Sequence, residues 1–259
     1  MRSRIVKGKI YEGRSLPALF FLSSRRIVRH YRDDVVISYA AKLAASGAFG
    51  MVYLVGGSVR DMLFGRLPFK DYDFAAEKNV SGFMRKMSDE LKSGFFVMDE
   101  ETQTYRMAGN RGKKKFVIDA TLLRGSIEED LRLRDFTINA MAVDLSAYDS
   151  KDGRGLPVID PYGGASDYRR RILRPLTSSV FRDDPIRLLR AFRLSQAFGL
   201  KTERTLLRLI RKERELLRNS SVERVRDELL LIFSFPGAAD TIGRMYDCGV
   251  FSEVFSELS

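Results

Sequence analysis

The feature that most constrains this chain is a pair of glycines set between an apolar run and an amphipathic one, with two aspartates close behind. Met51–Val55 is short, apolar and contains Val and Tyr, which suits a buried strand. Gly56 and Gly57 break it, and Ser58–Phe64 reads as the first turns of a helix. Such a junction lets the backbone approach a ligand closely. It also aims N–H groups and a helix N-terminus at one point, where a phosphate can sit. Six residues past Gly65 comes Asp71-Tyr-Asp73. A strand over Lys70–Ala75 turns both carboxylates to one face, where they repel. A divalent cation removes that repulsion, and Mg²⁺ takes carboxylate oxygens together with those of a bound triphosphate. Each half has an ordinary alternative, a turn for the glycines and a solvated or capping pair for the aspartates. Their combination at this spacing favours a nucleotide site.

Composition narrows the chemistry. The 259 residues hold one large or two small domains, and the formal charge of +11 argues for a polyanionic partner over a merely soluble basic protein. One cysteine, Cys248, excludes an internal disulfide and a cysteine-cluster zinc site. With a single histidine, His30, acid–base or metal chemistry falls to carboxylates. The apolar stretch Leu16–Leu22 is far short of the ~20 residues needed to cross a bilayer, so no membrane partner is expected. Residues 1–32 carry nine Lys/Arg against one acidic residue, Glu12. A basic arm over 1–34 that touches RNA phosphates, a transit peptide and an added extension all fit this composition. The expected compartment is the cytoplasm, or an organelle if the arm is a transit peptide.

Spacing supplies the elements. Val36, Tyr39, Ala40 and Leu43 predict a helix over Asp33–Gly47, and Phe83, Met84, Met87 and Leu91 predict another over Val80–Leu91. Phe95–Met98, Thr104–Ala108 and Lys115–Ala120 read as strands, with a hairpin turn at Asn110-Arg-Gly-Lys113. Asp119 lies inside the apolar Val117-Ile-Asp-Ala120, which is costly unless it is paired or faces water from an edge. Glu203–Arg218 is strongly basic, either a solvated face or a track for RNA backbone.

Leu54-Val-Gly-Gly-Ser-Val-Arg-Asp-Met-Leu-Phe-Gly65 followed by Asp71-Tyr-Asp73 resembles the first signature of the class II tRNA nucleotidyltransferases. These are the CCA-adding enzymes, a family shared with bacterial poly(A) polymerases. Four more signatures follow in the family's order. Arg134-Asp-Phe-Thr-Ile-Asn139 matches the second, R-R-D-F-T-I-N-A, except that Leu133 replaces its first Arg. Asp160-Pro-Tyr-Gly-Gly164 with Ile172-Leu-Arg-Pro175 matches a hinge signature whose residues alone are compatible with an ordinary loop. Asp183-Asp-Pro-Ile-Arg187 matches E-D-x-x-R, with Asp183 for the usual Glu. Arg193-Leu-Ser-Gln-Ala-Phe-Gly199 and Ser221–Leu229 complete the set, so the resemblance spans about residues 36–259.

The resemblance implies an α+β fold: a nucleotidyltransferase head over 35–176, a mixed sheet flanked by helices, then an all-helical neck over 177–259. The family's body and tail are expected to be absent or truncated here. It implies transfer of a nucleoside monophosphate from CTP or ATP to the 3′-hydroxyl of tRNA or another RNA, with release of pyrophosphate. Asp71 and Asp73 hold two Mg²⁺ ions and Asp119 completes the carboxylate set. Gly56, Gly57 and Arg60 hold the triphosphate, and Arg134 and Asp135 the sugar and phosphates. Asp184 and Arg187 present a carboxylate and a guanidinium to the edge of the base. Asp61, Asn139 and Arg190 belong to the same nucleotide-binding set. On the residues alone, Asp135 and Asn139 are turn and cap formers. Asp183, Asp184, Pro185 and Arg187 alone make a capped helix start with an ion pair. Complete CCA addition, partial C or A addition and poly(A) synthesis remain open, as does a non-catalytic RNA-binding protein. The short connector Leu123–Ile127 is a feature that the family associates with CC-adding members.

Overall fold

A computed structural model describes residues 33–66, 70–112, 114–146 and 156–255, together with the backbone of strands at 5–6, 9–10 and 19–22. The remaining parts of the expected basic arm, and all its side chains up to residue 32, lie outside the described residues. The chain forms two compact units, Met1–Arg132 with Asn139–Gly163, and Leu133–Ile138 with Gly164–Ser259.

The first unit is built on a mixed eight-stranded sheet. Strands β1 (Ile5–Val6) and β2 (Lys9–Ile10) pair antiparallel with each other. The sheet runs β3-β10-β9-β4-β5-β8-β7-β6. Its strands are β3 (Leu19–Leu22), β4 (Val52–Val55), β5 (Asp71–Ala76), β6 (Phe95–Asp99), β7 (Thr104–Arg111), β8 (Lys114–Leu122), β9 (Ala142–Asp144) and β10 (Leu156–Ile159). Among the described strands of this sheet, β5 and β8 alone pair in parallel, which requires a crossover between them. Helix α3 (Val80–Leu91) lies within that crossover, and Phe83, Met84 and Met87 are fully buried, as their spacing predicts. Phe83 meets Phe49 and Phe74 edge-on, both at 5.6 Å. Helix α1 (Val35–Ala45) starts where the Asp34 side chain accepts from the Ile37 amide, and it buries Val36, Ile37, Ala40, Ala41 and Ala44. The predicted hairpin forms, with Gly112 in the left-handed region at φ 61° and the ladder continuing to Arg111↔Lys114. One expectation changes here. Leu19–Leu22, inside the expected basic arm, forms an edge strand paired antiparallel with Leu156–Ile159.

The second unit is helical. Its helices are α5 (Gly164–Arg169), α6 (Val180–Asp183), α7 (Arg187–Phe198), α8 (Arg204–Glu213), α9 (Val222–Ser234), α10 (Ala238–Asp247) and α11 (Val250–Val254). Two short strands, Ile172–Leu173 and Lys201–Thr202, pair in parallel. Phe181, Leu188, Leu189, Leu206, Ile232 and Met245 are fully buried in one core. Phe136 and Ile138 belong to that same core, and Phe136 bridges to Pro175. Residues 133–138 and 164–176 therefore pack with the helices, so the units divide elsewhere than at the expected 176/177 boundary. Gly164 differs too: a Cβ there would stand 2.0 Å from the Thr137 carbonyl oxygen. It permits close packing rather than the freedom a hinge needs.

Candidate active site

In the sheet unit the chemistry-bearing residues cluster where β4 passes into α2 (Gly57–Leu63) beside the start of β5. Gly56 takes φ 72°, ψ −138°, a conformation that glycine adopts without strain. Its own N–H donates to the Met141 carbonyl at 3.1 Å, so this amide is committed to the fold and not aimed outward. Gly57 begins the helix, and a Cβ on it would press on the Arg60 guanidinium at 3.3 Å. Arg60 is buried. It donates to Asp61 Oδ1 at 2.9 Å and to Asn139 Oδ1 at 2.5 Å. These bonds tie the first signature to the Asn139 of the second, a link between residues 79 apart. Arg60 is thus engaged with its own unit, where the sequence suggested direct contact with phosphate.

Ser58 was not singled out by sequence, yet it joins the two halves of the first signature. Its Oγ accepts from the Asp73 amide and donates to the Asp71 carbonyl, both at 3.0 Å, and the residue is buried. A hydroxyl used in both directions clamps α2 to the strand that carries the carboxylates. Its only sequence signal is its place in the motif's variable position.

Strand register then sets a row of charges. Asp73 lies beside Asp119 in the parallel β5–β8 pair, and Asp119 lies beside Arg106 in the antiparallel β7–β8 pair. Asp71, two residues before Asp73, shares its face. Partial desolvation pushes the Asp71 carboxyl above the usual carboxylate range, with Asp119 and Asp61 adding to the effect while Lys70 and Arg106 oppose it. A carboxylate disfavoured by partial desolvation and by negative neighbours is one that a cation would relieve, so Asp71 fits Mg²⁺, with Asp73 beside it on the same face. Asp119 does not wait unpaired. Arg106 Nε and Nη2 each donate to one of its oxygens at 2.7 Å, a two-pronged fork that also holds Arg106 more firmly protonated. Among the described residues no group of three or more His, Cys, Asp or Glu side chains is placed to hold a metal ion. Asp119, the expected third carboxylate, lies on that face, and each of its oxygens accepts one hydrogen bond from Arg106. Sequence reading missed Arg106 because the register that sets it opposite Asp119 is tertiary.

The helical unit holds the other predicted residues. Asp135 is buried, accepts from the Phe136 amide at 2.7 Å and pairs with Arg190 at 2.9 Å. Arg134 is half-buried. Asp184 is extended (φ −159°, ψ 103°) and ends α6; its carbonyl accepts from the Arg187 amide, while α7 begins after Ile186 with no side-chain cap. The expected Asp184–Arg187 pair is loose at 4.0 Å. Instead Asp184 pairs with Arg224 of α9 at 2.8 Å, and Arg187 Nη2 donates to the Leu133 carbonyl at 2.9 Å. Leu133, the departure from the second signature, therefore serves through its backbone, which any residue could supply. Arg193 and Glu228, from the last two signatures, meet at 2.5 Å with both side chains largely buried.

A mixed sheet carrying paired carboxylates beside a strand–glycine–helix junction, with a helical unit after it, is the architecture of a nucleotidyltransferase head and its helical C-terminal region. The poly A polymerase head domain profile matches residues 52–174, and that of the probable RNA and SrmB-binding site of polymerase A matches residues 199–259. The chain belongs to the class II tRNA nucleotidyltransferase family, the CCA-adding enzymes and their poly(A) polymerase relatives. It is 34% identical to the CC-adding tRNA nucleotidyltransferase of Geobacter sulfurreducens, over 84% of this chain and 48% of that one. It is 33% identical to the A-adding tRNA nucleotidyltransferase of Deinococcus radiodurans, over 79% and 45%. The chain thus spans about half the length of the curated relatives it matches. Its fold superposes on the Thermotoga maritima CCA-adding enzyme complexed with tRNA at a TM-score of 0.77 and 31% identity, covering 92% of this chain and 56% of that one. A CCA-adding enzyme with CTP matches at 0.76 and 30% identity, over 92% and 55%.

Proposed function

We propose that this chain catalyses template-independent addition of C or A from CTP or ATP to the 3′ end of tRNA. The observation that carries the reading is the placement of Asp71 and Asp73 on one face of β5, with their backbone clamped by Ser58 to the glycine junction. Asp71 and Asp73 hold Mg²⁺, which supplies neutralising charge at the reacting phosphate and lowers the pKa of the attacking hydroxyl. The glycine junction lets the backbone of this chain come near a triphosphate, while Arg60, Asp61 and Asn139 brace it. Arg134, and Asp135 with Arg190, serve the sugar and phosphates. Asp184 and Arg187 select the base through a carboxylate and a guanidinium, the donor and acceptor types that a base edge requires. Assignment of these roles rests on the motif matches and on the kinds of atom each residue presents.

Incubation of the folded protein with Mg²⁺, single labelled nucleotides and tRNA transcripts ending at the discriminator base, at C or at CC tests the reading. Incorporation confined to the transcripts that lack the next base of CCA is expected. No incorporation of any nucleotide, with RNA binding retained, would favour the non-catalytic alternative. One observation supports a narrower reading, CC addition. Only residues 123–126 connect β8 to α4 (Ile127–Arg132), and the similar Geobacter protein is CC-adding. CTP incorporation that stops at CC supports it, and ATP addition to a CC end rules it out. Long A tails on unrelated RNA would instead point to poly(A) synthesis.

A further inference from the structure

We infer that the β7–β8 hairpin overhangs the carboxylate end of the sheet and grips the phosphate backbone of the RNA strand whose 3′ end reacts. The inference rests on the proposed function and extends it, naming a surface for the RNA that none of the five signatures includes. Register supplies the overhang. In the parallel β5–β8 pair Val117 lies beside Asp71, the first residue of β5. The β7–β8 ladder runs on past that point, through Gly109↔Phe116 and Asn110↔Lys115 to Arg111↔Lys114. Residues 114–116 of β8 thus extend beyond the start of β5 by about 10 Å at the strand rise. The base of the overhang is fixed. Phe116 is buried, and a Cβ on Gly109 would stand 2.6 Å from its ring and 2.4 Å from Ser93 Oγ.

Charge is segregated along this hairpin. Between Gln103 and Asp119 the sequence has no acidic residue and five basic ones, Arg106, Arg111, Lys113, Lys114 and Lys115. The other end, where β6 passes into β7, carries Asp99-Glu100-Glu101. A polyanion is drawn to the end that holds Asp71 and Asp73 and turned away from the other. Lys115 is exposed and lies four residues before Asp119 on β8, so the two share the face of Asp71 and Asp73. The sheet order β4-β5-β8 puts the glycine junction on one side of these aspartates and the hairpin on the other. That separation suits an in-line transfer, in which the attacking and leaving oxygens stand on opposite sides of the reacting phosphate. The triphosphate belongs to the glycine side and the RNA to the hairpin side.

The test is binding of a tRNA transcript ending at the discriminator base to the nucleotide-free full chain. Fluorescence anisotropy across a salt series reads the affinity, and KM for CTP is measured in parallel. Arg111→Gln, Lys114→Gln and Lys115→Gln together should weaken binding about tenfold or more at ~0.1 M salt. They should also flatten the slope of log affinity against log salt by about two, each lost phosphate contact accounting for about 0.7–0.9. Lys115→Gln alone, at an exposed position, should flatten it by about 0.7–0.9 and remains usable if the triple variant misfolds. KM for CTP should stay within about threefold in both. Changing Arg85, Lys86 and Lys92, exposed on α3 or next to it, to Gln removes the same charge and should move the slope by less than about one. An unchanged slope in the hairpin variants overturns the inference. So does an equal loss in the α3 variant, which would make the effect one of net charge. A raised KM for CTP with RNA binding unchanged also overturns it and gives these cations to the nucleotide. Hairpin-dependent RNA binding by a wild type that incorporates no nucleotide would sink the catalytic reading and leave the RNA surface in place.

Discussion

At the scale of single residues, the site depends on side chains that hold backbone as much as on those that face substrate. Replacing Asp71 or Asp73 by Ala should reduce incorporation by roughly a thousandfold or more, since metal charge stabilisation is worth several kcal/mol. Both variants should melt close to the wild type, because neither side chain belongs to the buried core. Retention of more than about a tenth of the activity at saturating Mg²⁺ would remove them from the metal role. Ser58→Ala should behave differently. It leaves the Asp73 amide and the Asp71 carbonyl without their partner, at a cost of about 2 kcal/mol in stability. It should also slow incorporation, by roughly tenfold or more, since the carboxylates lose their anchor. A variant that melts early but turns over at the wild-type rate would confine Ser58 to folding. The residue types of the first signature are legible in sequence. The two-way use of the Ser58 hydroxyl is not, because it depends on how closely α2 approaches β5.

The elements proposed to carry base selection are held by one another. In the helical unit α9 supplies Arg224 to Asp184 and Glu228 to Arg193. Glu228→Ala strands the Arg193 guanidinium in a largely buried setting and should destabilise the protein by about 3 kcal/mol, read from chemical denaturation. A loss below about 1 kcal/mol would mean that the pair is solvated like a surface bridge. Arg187→Ala should compress the ratio of correct to incorrect nucleotide incorporation by roughly 1–3 kcal/mol, the range for a good contact to a base edge. Arg224→Ala should move that ratio in the same direction by acting on Asp184. Steady-state incorporation of all four nucleotides, run beside thermal melts, separates this from a structural role. Earlier melting with unchanged selectivity would return Asp184 and Arg187 to the fold. A side-chain cap of α7 by Asp184, an ordinary explanation in sequence, is not formed, and the carboxylate pairs with Arg224 instead.

For the whole molecule, the dominant quantity is charge. With a net +11, binding to RNA should run mainly through Lys and Arg contacts to phosphate. Affinity for a tRNA transcript should therefore fall steeply with salt, each phosphate neutralised adding about 0.7–0.9 to the slope of log affinity against log salt. A slope flatter than about one would show that base or shape contacts dominate. Among the described residues no helix is long and apolar enough to cross a membrane.

The sequence by itself determined the elements and the chemistry types. Helical spacing placed α3, and a strand period of two set Asp71 and Asp73 on one face, because both periodicities are local properties of the backbone. The motif order alone was enough to recognise the family. Tertiary structure decided the partners. It placed Arg106 opposite Asp119, Arg224 on Asp184 and Arg187 on the carbonyl of Leu133. It also drew Phe136 into the helical core and thereby moved the boundary between the units. Each of these depends on strand register or helix contact between segments far apart in the chain. Register is set by the packing of whole faces, and no short window of residues encodes it.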